Sequence, residues 1–174
     1  STSQKNAITN LLSEVKSATT EIVITDPVYI EMNFGASVTN SDFTLISDAG
    51  NDSYLYVEVD QNSRRDLNAV QNEVADVFTT YFNTSNLKLG QLVSLKEIQQ
   101  SILAIDGVNA FSTRREYKGT TIIDENLSFA VYNPIYETVD YEFTQQDINL
   151  DFFKFPYFND ITTVQNRITV VRQG

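Results

Sequence analysis

The stretch SLKEIQQSILAIDGVNAF, Ser94 to Phe111, constrains the fold most, because it spells out a helix start, a stop and a strand in one run. Ser94 followed three residues later by Glu97 fits a capping box, in which serine takes an orphan backbone N–H and glutamate reaches back to the cap. Leu95, Ile98, Ile102 and Ile105 then share one face at spacings of three and four, leaving Lys96, Gln99 and Gln100 for the other. Asp106-Gly107 supplies the stop, since glycine tolerates the left-handed conformation that closes a helix. A strand over 108–113 follows.

Upstream, residues 5–18 read as a helix without a clear cap, with Ala7, Ile8, Leu11, Leu12 and Val15 on one face. In EIVITDPVYIEMNF, Val28, Ile30, Met32 and Phe34 alternate with Tyr29, Glu31 and Asn33, the period-two pattern of a half-buried strand opening after Asp26-Pro27. A short strand over 43–47, the turn cluster DAGND and a strand over 54–60 form the simplest hairpin. From Ser63, which with Asp66 resembles another cap, the period changes to 3.6. Leu67, Val70, Val74, Val77, Phe78, Tyr81 and Phe82 make one stripe of a helix running to about residue 83. The loop NTSNLKLG leads into the Leu95 helix.

Composition changes near Gly119. The chain has 174 residues and a net charge of −11 from 23 acids and 12 bases. Between Asp124 and Asp160, eight acids face one base, Lys154, and the last third holds half of all Phe and Tyr. That part reads as strands over 121–123, 127–132, 135–143 and 167–172, with Asn133-Pro134 as a break. The expected fold is therefore α+β: a small mixed sheet with two or three helices packed on it over 1–118, followed by a β-rich, acidic, aromatic extension over 119–174 that mediates subunit contacts. The chain begins at Ser1 without methionine, which suggests processing or a longer parent.

Chemistry-bearing groups are sparse. There is no cysteine and no histidine, which removes thiol chemistry, the commonest metal ligand and the commonest general base. Asp147, Asn149 and Asp151 have the spacing that opens a calcium loop, but Phe152 and Phe158 stand where that motif needs glycine and glutamate, so a polar strand edge is the better reading. The acids Asp124-Glu125 and Asp140-x-Glu142 accompany no recognisable pocket motif, and no catalytic residue, cofactor or metal is expected. The acidic surface disfavours nucleic acid, and the apolar runs fall far short of the ~20 residues that span a bilayer. Two groups remain as candidate interface residues. The pairs Arg64-Arg65 and Arg114-Arg115 offer forked donors for anions or for carboxylates of the same or another subunit. Phe152, Phe153, Phe155, Tyr157 and Phe158 exceed what one strand face can hold, so some must meet a second surface.

Three quoted runs, ITDPVYIEMNFGASV, SRRDLNAVQNEVADVFTTYFN and LKLGQLVSLKEIQQSILAIDGVNAF, resemble in their order and spacing the baseplate J-like family of contractile-tail phages and related machines. The matching marks are Asp26-Pro27, Tyr81-Phe82, Leu89-Gly90 with Val93, and Gly107-Val108, covering roughly 15–115. The resemblance implies a non-enzymatic structural protein of the virion, made in the host cytoplasm and placed in the tail baseplate. It implies contacts with copies of itself, as dimer or ring, and with other baseplate wedge proteins. Neither nucleic acid nor membrane is an expected partner. The competing expectation is a glycan- or receptor-binding module using exposed tyrosines and acids.

Overall fold

The computed structural model describes residues 2–13, 24, 26–34, 53–117, 120–133, 138–159 and 161–174. Its elements run in the order α1 (Thr2–Ser13), β1 (Val28–Phe34), β2 (Ser53–Val59), α2 (Leu67–Tyr81), α3 (Leu95–Leu103), β3 (Val108–Tyr117), β4 (Thr120–Asp124), β5 (Phe129–Asn133), β6 (Thr138–Thr144), β7 (Lys154–Phe158), a 3₁₀ turn (Ile161–Arg167) and β8 (Ile168–Arg172). The fold is α+β.

One small sheet was expected, and two four-stranded sheets are found, ordered β6-β5-β1-β7 and β4-β3-β2-β8. In each, one pair is parallel: β1 with β7, and β2 with β8. The strands beyond Gly119 complete both sheets. The physical reason lies in β1 and β2, whose buried faces place backbone on both edges in need of partners; β5 and β7 flank β1, and β3 and β8 flank β2. The hairpin partner expected over 43–47 and the DAGND turn lie outside the described residues.

The two sheets share one core through α2. Phe78 meets Phe34 of β1 edge to face at 5.1 Å, and Phe82 and Phe129 complete an aromatic cluster around Phe158 of β7. Toward the other sheet, Gln71 of α2 donates to the Ile168 carbonyl at the start of β8 at 2.7 Å. Arg167 joins the sheets directly: it donates to the Ser53 carbonyl of β2 and to the Asn33 side chain of β1, and lies over the Phe34 ring. That contact explains why Asn33 is buried although the alternation of β1 assigns it outward.

Local signals hold with two corrections. Asp66, not Ser63, caps α2, accepting from the Asn68 N–H, and Ser63 instead accepts from the Arg65 N–H. Ser94 caps α3 as expected, but its own N–H goes to the Tyr81 hydroxyl at 2.7 Å rather than to Glu97. A half-buried phenol already fixed by α2 competes better for that donor than an exposed carboxylate. The described part of α1 runs from Thr2 to Ser13, with Ile8, Leu11 and Leu12 exposed on it; residues 14–18 of the expected helix, Val15 among them, lie outside the described residues.

Candidate interaction surface

Gly90 organises the most exposed part of the aromatic stretch. It adopts φ +66°, the left-handed region, and a Cβ there would stand 2.6 Å from the Phe152 Cα, so only glycine fits. Its N–H donates to the Lys154 carbonyl at 2.9 Å. The Leu89–Leu92 loop is thus fastened to the Asp151–Lys154 backbone, and Leu89, Leu92 and Phe152 are all exposed on these adjoining segments. Phe152 is 83% exposed, and its ring meets Phe153 edge to face at 5.3 Å.

The five expected aromatics separate into different roles. Phe158, 1% exposed, belongs to the core and is not available to a second subunit. Phe155 is half-buried against that core, with its ring 5.8 Å from Tyr29. Tyr157 and Phe152 face outward, and Phe153 is half-buried between them in sequence. Pro156, between Phe155 and Tyr157, pairs with Ile30 and shifts no register, which an outer strand permits.

The arginines also divide. Arg115, 4% exposed, is paired through Nε with the Asp124 carboxylate at 3.2 Å across β3 and β4, and so is structural. Arg65 binds Glu73 and stands 3.6 Å from Asp106, tying α2 to the turn after α3. The Arg114 guanidinium carbon lies over the Tyr56 ring, 3.3 Å from its centroid, and both side chains are half-buried. Arg64 is exposed. The four guanidinium groups do not converge.

Asp147 has a use that its calcium-like spacing did not suggest. It accepts from the Ser94 hydroxyl at 3.2 Å and from the Lys96 N–H at 3.3 Å, and the adjacent Ile148 bridges to Val93. A carboxylate at a helix N-terminus satisfies orphan donors and opposes the positive end of the helix dipole. Among the described residues no group of three or more His, Cys, Asp or Glu side chains gathers. A groove between α2 and α3, lined by Val77, Tyr81 and Ile105 with Glu73 and Asp76 at its rim, is open to solvent. No described helix is long and apolar enough to cross a membrane.

The signal missed in the sequence is the Leu89-Gly90 loop as part of the surface. Its leucines read as ordinary loop residues until the Gly90 contact places them beside Phe152. The chain matches no protein-family model and no curated protein.

Proposed function

We propose that this chain is a structural, non-catalytic component of the wedge of a phage tail baseplate, which joins copies of itself and other wedge proteins into the baseplate ring. The observation that supports the reading best is Phe152, exposed on backbone that the Gly90 loop fastens, with exposed Leu89 and Leu92 beside it. Burying such an aromatic on a partner stabilises a contact by about 1.5–3 kcal/mol, and anchoring it beforehand lowers the entropy lost on docking. Acidic neighbours such as Asp151 supply a polar rim. The family resemblance supplies the setting, the virion.

Particle assembly with a Phe152→Asp chain tests the reading. The expected result is a folded protein, unchanged in circular dichroism and melting temperature, that enters tail baseplates at least about ten-fold less well, as loss of one anchor side chain predicts. Full incorporation, combined with sugar binding in a glycan screen that the substitution removes, would overturn it in favour of the glycan- or receptor-binding reading.

A further inference from the structure

The described part of α1 is 12 residues long and buries none of them. A helix that short is marginal in water without something to pack on. Ile8, Leu11 and Leu12 stand at positions i, i+3 and i+4, so they form one apolar stripe, and all three are exposed, Leu11 to 69%. Lys5, three residues before Ile8, is the one charged residue in Thr2–Ser13. It pairs with Asp26, ahead of β1.

The groove between α2 and α3 has the complementary make-up. Glu73, Asp76, Val77, Thr80 and Tyr81 of α2 recur at the spacings of one helical face, and Ile105, just after α3, lines the groove from the other helix. Val77, Tyr81 and Ile105 are half-buried on the core, so part of their apolar surface remains in the groove. Glu73 is engaged by Arg65, whereas Asp76 is exposed and makes no ion pair among the described residues. Glu97 and Asp147 add negative charge at the Tyr81 end. At 1.5 Å per residue the two halves match in length, about 12 Å from Glu73 to Tyr81 and about 10 Å from Lys5 to Leu12. Within one chain they do not meet, since the stripe is exposed and the groove is open to solvent. Copies of a chain with net charge −11 repel over most of their surface, but a helix whose one charge is positive attracts a helix that carries two acids and no base.

We propose that α1 of one copy of this chain docks in the α2–α3 groove of a second copy, with Ile8, Leu11 and Leu12 against Val77, Tyr81 and Ile105, and with Lys5 passing from Asp26 to Asp76. An amphipathic helix laid in an apolar groove through anchors at i, i+3 and i+4 is a recurring mode of recognition. Each copy offers one helix and one groove, so two copies that exchange helices about a two-fold axis fill both grooves in a closed pair. A second copy fits better than an unrelated basic peptide, because exchange covers the stripe and the groove together, whereas any other occupant covers one and leaves the other in water. The inference stands on α1 and the groove alone and requires neither the Phe152 contact nor the baseplate reading.

Sedimentation velocity over a concentration series tests it. Wild type should dimerise, and Leu11→Asp, at an exposed position, should raise the dissociation constant at least about ten-fold, as loss of one anchor side chain predicts. At a dilution where both are monomeric, the two chains should melt alike. Lys5→Glu and Asp76→Lys should each weaken the dimer at least about three-fold, the scale of an exposed ion pair. An equimolar mixture of those two variants should recover, because each helix then meets a groove of opposite charge. A Phe152→Asp chain should dimerise like wild type, which separates failure of this inference from failure of the baseplate reading. A wild-type chain that stays monomeric at every concentration, a dimer indifferent to Leu11→Asp, or a mixture no tighter than its components would overturn it.

Discussion

The Tyr81 hydroxyl accepts the Ser94 N–H at 2.7 Å, so the last residue of α2 holds the first cap of α3. Ser94 is buried, and its Tyr81 partner is half-buried against the core. Tyr81→Phe keeps the ring and removes the acceptor. The expected loss is about 1–3 kcal/mol, the cost of an unsatisfied buried donor, read by urea denaturation.

Burial pushes the Tyr81 pKa up, outweighing the Ser94 bond, which lowers it. The unfolded phenol ionises near pH 10 while the folded one still holds its proton, so the native state then binds more protons and stability falls as pH rises. The difference in stability between wild type and Tyr81→Phe should therefore shrink above about pH 10, and remain flat from neutrality to that point. Denaturation midpoints in a pH series check this.

Gly90→Ala should destabilise by at least about 1–3 kcal/mol, because a side chain in the left-handed region is strained and its Cβ would meet Phe152 backbone at 2.6 Å. Displacing that backbone should also disturb Phe152. Thermal unfolding reads the first effect, and the surface accessibility of a probe at Phe152 reads the second.

Asp124→Ala leaves the Arg115 guanidinium, 4% exposed, without its carboxylate. Removing one partner of a buried pair costs about 3–5 kcal/mol. Asp124 is itself somewhat more open than Arg115, which places the expected value at the lower end, about 3 kcal/mol. Equilibrium denaturation should show it, with hydrogen exchange increasing along β4.

Phe158→Ala and Phe152→Ala should separate core from surface within one aromatic run. The first empties a site between Phe34, Phe82 and Phe129 and should cost about 3–5 kcal/mol. The second should stay within about 0.5 kcal/mol. A charged residue at Phe155, half-buried on the core, should unfold the chain in part as well as alter its surface, so Phe152 is the cleaner probe of assembly.

What was legible in the sequence follows the range of each interaction. The α3 cap at Ser94, the alternation of Leu55, Val57 and Val59 and the left-handed Gly107 depend on neighbours within a few residues, and each stands as the sequence implies. The α+β class follows from the change of period at α2. The pairing of β1 with β7 and of β2 with β8 depends on residues far apart in the chain, and no local pattern encodes it. The same limit separated Phe152 from Phe158: both are phenylalanines in one strand-like run, and only the position of Phe78 and Phe129 decides which is core.

Photo-crosslinking from position 152 in assembled tail particles tests the central claim most directly. A benzophenone amino acid at Phe152 leaves the core untouched and samples whatever covers the Leu89–Leu92 surface. The account predicts crosslinks to a second chain, either another copy or a neighbouring wedge protein, in particles and not in the dilute purified protein. Particles that lack the chain, or that contain it with position 152 crosslinked only within its own molecule, would contradict it.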